Sequence, residues 1–437
     1  MYSQRISQVV LLMVLGVFVL APPTSYVLAA EPTTVSVAIY SRVEHWQRLI
    51  EEFNRQSDDV KAELEVVAAR SWDSLAEQVQ VRIAAGTGPD IVNTSLTFVS
   101  NYRANDLLVD LIPYFNRDGL DIARYYPKIV SNLSVDGKMD LFPVGILSEV
   151  VLINEQLFSE SGVPLPSRDW ISGWDQDQFY ELEGRFNRVS GDSAGSPGTR
   201  GYYPRNSPSS LLPFVWANGG SWFRESKGQL EFALTEPAAR NTLETLEDVF
   251  IHQNTLLGSG SLTRFERGEL AIATSTSSGA MQASRAPGGA AEYPFDWGVY
   301  PFPRGEAGPA TALLSDPIAI LKTSNHADSA WVFVKWLDSL DAARIMAEAG
   351  VFGIHPNREH ALTLSEYYYP EHSSANRSVV LESLNVMRNE LISNANYSKL
   401  WAELQVLFRD AIVTNKIPLA EHIENTARLS NALLREE

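Results

Sequence analysis

The chain has 437 residues, 45% of them hydrophobic and 20% charged, which excludes a disordered composition and allows two or three folded domains. A formal net charge of −18 argues against nucleic acid and anionic lipid surfaces, since both need clustered Lys and Arg; it fits solvated acidic faces or attraction of a cationic ligand such as a polyamine. Cysteine is absent, so a disulfide framework, a thiolate metal site and a catalytic thiol are excluded.

In chain order, Arg5, an apolar run from Val9 to Leu20 and small residues up to Ala29-Ala30 have the layout of an export signal, with cleavage expected near Ala29 or Ala30. The run is too short for a stable membrane span, and no cysteine is present at the cleavage site to carry a lipid, so a periplasmic protein is expected. Thr33 to Tyr40 alternates as a strand, and Trp46, Leu49, Ile50 and Phe53 recur at helical spacing. Glu63 to Ala69 reads as a second strand. Ser71 caps a helix through Leu75, Val79 and Ile83 that stops at Gly86, and Asp90 to Val92 reads as a third strand. Strands alternating with amphipathic helices predict a parallel sheet with its ligand at the carboxyl ends of the strands.

From Asp136 two extended segments, DGKMDLFPVG and SEVVLIN, predict a crossing to a second lobe, followed by helices at Glu155 to Ser161 and Asp175 to Asn187. GDSAGSPGTRG at 191–201 reads as a surface loop. Helices are predicted at Pro208 to Ala217, Glu236 to His252 and Ala327 to Leu337, and strands at Leu270 to Thr274, Trp297 to Phe302 and Ile318 to Leu321. The last hundred residues read as almost wholly helical. The domains expected are a signal peptide at 1–30, a first lobe of 31–142 with 279–338, and a second of 143–278 with 339–437.

Seven segments in order, AAGTGPDIV (84–92), NDLLVDLIPYF (105–115), DGKMDLFPV (136–144), VVLINEQLFSESGVPLP (150–166), WANGGSWF (216–223), FERGELAIATS (265–275) and WGVYPFPRG (297–305), resemble family 1 extracellular solute-binding proteins of the maltose and oligosaccharide type. The resemblance spans essentially the whole mature chain. It implies an α/β, two-lobe periplasmic-binding-protein fold of type II, with discontinuous lobes joined by a hinge. It also implies a non-enzymatic, monomeric capture subunit that closes on a small solute, carbohydrate first, and hands it to the permease of an ABC transporter, with no cofactor.

On that basis the cleft contacts expected are Thr94, Ser95 and Thr97 after the third strand, and Ser148 and Glu149 at the hinge. In the group Trp216, Asn218, Gly219, Gly220 and Trp222, tryptophan offers a flat face for a sugar ring and the two glycines would let backbone amides approach it, with Asn218 a further contact. Trp72 with Asp73, at a helix start near the strand ends, is a second candidate platform with a carboxylate suited to paired hydroxyls, and Tyr40 is a further ring that could cover an apolar face. Two departures from the family pattern stand out. Thr276, Ser277 and Ser278 occupy a place where an aromatic residue is common, which makes Ser278 the contact there. Ser315-Asp316 replaces paired glycines and adds the Asp316 carboxylate.

Competing motifs are weak. GDSAG matches a nucleophile elbow around Ser193, but that motif needs a strand before it and a helix after it, and neither flank provides one. His355 and His360 lack metal-ligand spacing. A secreted carbohydrate-active hydrolase, or a binder of polyamines or phosphorylated polyols on the same fold, are the alternatives to sugar capture.

Overall fold

A computed structural model describes residues 31–435 except 97, 136, 190–199, 203–204, 206, 227–228, 253–260, 284–292, 369–373, 391–395 and 414–415. The first sheet starts from β1 (Thr33–Ile39), β2 (Val60–Val66) and β3 (Ile91–Asn93), all parallel. Between β1 and β2 the helix Val43–Gln56 buries Trp46, Leu49, Ile50 and Phe53, the four residues whose spacing predicts it. Between β2 and β3 runs the helix Trp72–Ala84, held by a capping box in which Ser71 and Ser74 each accept the other's backbone N–H. It stops at Gly86, which takes φ 74°; Gly88 does not share that conformation and serves close packing instead, since a Cβ there would stand 2.9 Å from Ile83.

The chain then crosses to a second sheet through β4 (Leu147–Asn154), all of whose residues are buried. β5 (Arg200–Tyr202) follows, then a hairpin of β6 (Phe223–Ser226) and β7 (Gln229–Phe232) that the sequence pattern did not predict, then β8 (Leu270–Thr276). β8 lies antiparallel beside β4 and parallel to β5. β9 (Trp297–Tyr300) and β10 (Thr311–Leu314) both pair antiparallel with the other side of β4. Only with β11 (Ile318–Ile320), antiparallel to β3, does the chain rejoin the first sheet, whose order is β11-β3-β1-β2. β12 (Met387–Arg388) adds to β10, a strand inside the segment expected to be almost wholly helical.

These pairings differ from the expected return to the first lobe at residue 279, because β9 and β10 take their hydrogen bonds from β4. Likewise the helix Leu340–Ala349, expected in the second lobe, packs on Val43–Gln56, and its Ala342 and Met346 join Val35, Phe53 and Trp331 in the first core.

The crossings run side by side. Phe142 and Ile318 exchange backbone hydrogen bonds of 2.9 and 3.0 Å, Leu147 pairs with Leu314, and Ile146 and Ile354 exchange two of 2.8 Å. Residues 142–147, 314–318 and 354 thus form a narrow ribbon between the two sheets.

Candidate ligand cavity between the sheets

The carboxyl ends of β1, β2 and β3 open toward the second sheet, and a cavity of about 460 Å³ lies there. From the first sheet's side come Arg42, directly after β1, Trp72 after β2, and Ser95, Leu96 and Phe98 after β3. The ribbon supplies Leu147, Ser315 and Asp316. From the second sheet's side come Ser209, Trp216, Trp222, Thr276 and Ser278, and from the C-terminal segment Asn389, Glu390, Tyr397, Trp401 and Gln405. The partly exposed indoles of Trp72 and Trp401 offer apolar faces, the buried rings of Trp216, Trp222 and Tyr397 border the cavity behind them, and hydroxyls and amides lie between.

Every charge in this lining is paired. Arg42 sits in the left-handed region at φ 56°, which turns its side chain across the strand ends to Asp316 at 2.5 Å. Burial raises the Asp316 pKa above the usual carboxylate range, and the Arg42 charge opposes that rise. Burial and the Asp316 charge also raise the Tyr40 pKa. Glu390 accepts from the Trp216 indole at 2.6 Å and from the backbone N–H groups of Trp222 and Phe223 at 2.7 and 2.8 Å, with Arg388 at 3.3 Å. Burial outweighs these donors and leaves its pKa raised. Two lining groups, Ser95 Oγ and Trp222 Nε1, are buried without a hydrogen-bond partner.

Of the residues expected in the cleft, Trp72, Ser95, Trp216, Trp222, Ser278 and Asp316 line the cavity. Tyr40 stands behind Trp72, ring edge to face at 4.6 Å, and Asp73 is exposed in the first turn of its helix. Thr94 is 3% exposed and donates its N–H to Pro317, and Thr97 lies outside the described residues.

Ser148 and Glu149 point into protein rather than cavity. Ser383 donates to the Ser148 hydroxyl, and Glu149, wholly buried, accepts from Arg205 and from Ser209 at 2.8 Å. The WANGG segment divides the same way. Asn218 donates to Gln176 and Thr242, and Gly220 allows helix Pro208–Ala217 to approach Pro237–His252, where a Cβ would stand 2.9 Å from Ala239 Cα. Gly219 supplies the positive φ, 80°, that ends the first of these helices. These three residues build a helix turn and do not line the cavity.

Ser193 lies outside the described residues. His355 is buried, bonded through Nε2 to Leu337 O and through Nδ1 to the Asn357 N–H, and His360 Nε2 reaches Asp338 O, so both are framework residues.

The lining residues not anticipated from sequence are mostly C-terminal. Tyr397, Trp401 and Gln405 recur every four residues along helix Tyr397–Leu407, a signal that periodicity carries. Glu390 and Arg42 carry none that stands out from other charged residues.

The model of the family described as "Bacterial extracellular solute-binding protein" matches residues 41–343, more than half of the chain. The chain belongs to that family. Solved structures with the same architecture include the sugar-binding protein MalE from the phytopathogen Xanthomonas citri (TM-score 0.74, 17% identity, covering 92% of this chain and 97% of that one). An ABC substrate-binding protein from Listeria monocytogenes in complex with cycloalternan is similar at TM-score 0.73 and 19% identity, covering 92% and 98%. UgpB from Mycobacterium tuberculosis, in complex with glycerophosphocholine, is similar at TM-score 0.73 and 16% identity, with the same coverage. At these identities the structural likeness establishes the fold, the α/β two-domain periplasmic-binding-protein type that the sequence resemblance implied. In this extracellular solute-binding protein, then, the family match gives the role of solute capture. Among its described residues no helix is long and apolar enough to cross a membrane.

Proposed function

We propose that this solute-binding protein captures an uncharged carbohydrate between its lobes and delivers it to the membrane permease of an ABC transporter. The observation that carries the reading is the cavity lining. The half-buried indoles of Trp72 and Trp401 suit the C–H faces of sugar rings, Ser95, Ser209, Thr276, Ser278, Asn389 and Gln405 suit hydroxyls, and Arg42, Asp316 and Glu390 already have countercharges. A polyamine or a phosphorylated polyol would have to displace one of those pairs, which favours the neutral ligand. The volume of about 460 Å³ is within the usual range for a small-molecule site.

Ligand contacts proposed are Trp72, Ser95, Trp216, Trp222, Ser278 and Asp316, with Arg42 and Trp401 added. The lobe division that fits the strand pairing is 31–142 with 318–349 on one side and 147–314 with 374–435 on the other. The leader-like segment ending near Ala29-Ala30 fits export and cleavage to a monomeric periplasmic form. No chemistry is assigned to the cavity, because its two carboxylates, Asp316 and Glu390, are both held by donors rather than by a proton-transfer arrangement.

The test is thermal unfolding of residues 31–437 against mono- and oligosaccharides, sugar alcohols, spermidine and glycerol 3-phosphate. A solute that binds only the folded form at about a hundred times its Kd adds ~2.7 kcal/mol. A saturable shift from a neutral sugar recovered unchanged supports the proposal. A shift only from spermidine or glycerol 3-phosphate overturns the ligand class, and consumption of the sugar overturns the non-catalytic reading.

A further inference from the structure

The wall of the cavity formed by Trp216 and Trp222 rests on a carboxylate that belongs to a different part of the chain. Trp216 ends one helix and Trp222 precedes β6, whereas Glu390 follows β12, beyond the 41–343 stretch that matches the family. One oxygen of Glu390 takes the Trp216 indole N–H at 2.6 Å, and the other takes the Trp222 and Phe223 N–H groups at 2.7 and 2.8 Å. Arg388 completes the joint. Its guanidinium donates to Ser221 Oγ at 2.5 Å and lies 5.6 Å from the centre of the Trp216 ring.

We propose that Glu390 is the positioning residue of this wall, fixing the Trp216 indole and the Trp222–Phe223 backbone in the orientation a bound solute meets. The geometry demands a carboxylate in its charged form. Four N–H donors, the Trp216 indole, the Trp222 and Phe223 amides and Arg388 at 3.3 Å, converge on two oxygens, and a protonated acid or an amide would turn a donor of its own toward them. Trp216 is 5% exposed, so it meets a solute along a fixed edge and not as a freely turning plate. Fixing that edge in advance removes an ordering cost from binding. The inference rests on the cavity being the solute site, but its test uses no solute, so failure of the wall and failure of the binding reading are separate results.

Among the described residues, the charged and titratable groups facing Glu390 are Arg388 on its own segment and Tyr397 on helix Tyr397–Leu407, whose phenol is pushed up by burial and by the Glu390 charge. Residues 216–223 present only uncharged donors to it, and Arg224 turns away to Glu231 and Glu236. Burial pushes the Tyr397 phenol up, away from the acid range, and holds Glu390 above the ordinary carboxylate range.

The experiment is indole ¹H–¹⁵N spectroscopy of ¹⁵N-labelled residues 31–437. The chain has 10 tryptophans, and Trp216→Phe assigns the resonance in question. In the wild type, that resonance is expected downfield of the other indoles at pH 8, and to move upfield as pH falls, with a midpoint above the ordinary carboxylate value. In Glu390→Gln the downfield position and the titration are both lost, while the indoles of the first lobe, Trp46, Trp331 and Trp336, keep theirs. A Trp216 resonance that is flat with pH in the wild type overturns the proposal, and this needs no variant to fold. So does a Glu390→Gln protein that is folded and keeps the downfield signal.

Discussion

Replacing Arg205 by Met tests how the cavity floor is supported. Glu149 is wholly buried, and its Oε1 is held by Arg205 and by the Ser209 hydroxyl, while Ser209 itself lines the cavity. Burial draws the Arg205 pKa down to about 10, so the guanidinium is still charged at neutral pH. The substitution keeps much of the volume but leaves the carboxylate with the Ser209 donor alone. Removing one partner of a buried pair costs about 3–5 kcal/mol; Arg205 is 30% exposed on its side chain, which puts the expectation near the lower bound, ~3 kcal/mol. For a folding unit of roughly 150–250 residues each kcal/mol shifts Tm by about 2–4 °C, so the transition of the second lobe is expected to fall by roughly 6–12 °C in calorimetry. Glu149→Met combined with Arg205→Met removes both charges and is expected to recover most of that loss. A drop under about 2 °C for Arg205→Met, or a double variant as unstable as the sum of the two singles, would refute the reasoning.

Trp216→Ala is expected to cost about 3–5 kcal/mol in the solute-free protein, because the ring is buried and bonded to Glu390. Trp72→Ala, which removes a half-buried ring, is expected to cost less stability and to weaken binding of any sugar that shifts the wild type; paired melting and titration calorimetry separate the two. His355 is held neutral by burial, its pKa lowered from 6.5 to about 3. A depressed folded pKa means that its contribution is present above pH 6.5 and is lost as pH falls from there toward 3, by about 1.4 kcal/mol per unit. His355→Gln should therefore flatten the acid limb of the stability profile measured by denaturant titration, and an unchanged slope would count against it. Gly145→Ala places a Cβ 2.0 Å from the Phe352 carbonyl oxygen in the ribbon, so a loss of at least about 1–3 kcal/mol is expected in the same assay.

The first lobe was the more legible part of this sequence because its signals are local. Trp46, Leu49, Ile50 and Phe53 declare a helix by spacing, and Ser71 declares the start of the next. Once strands alternate with helices, strand ends become the place to look for ligand, and Trp72 and Ser95 followed from that, whereas Asp316 came from the place where Ser315-Asp316 departs from the family's paired glycines. The second lobe depends on long-range pairing. Whether Trp297–Tyr300 joins one sheet or the other is decided by β4, more than a hundred residues earlier, and leaves no trace in its own pattern. WANGG misled for a related reason: a glycine that lets two helices touch looks the same in sequence as one that lets a ligand approach. Glu149 lies within β4 and Glu390 just after β12, yet one is sealed beneath the floor and the other forms part of the wall, and the positions of Arg205 and Trp216 distinguish them.

The ribbon of residues 142–147 and 314–318 gives Asp316 a particular mechanical position. A rotation of one lobe on the other moves atoms in proportion to their distance from the axis, and the ribbon is where such an axis must pass. Asp316 therefore stands near the fulcrum, and its separation from a solute already seated would change little between an open and a closed arrangement. Trp72 and Trp401, which belong to opposite sides of the cavity and not to the ribbon, would be carried with their lobes. The ion pair at the pivot is then suited to hold the solute at first encounter, and the two rings to sense whether the jaws have shut.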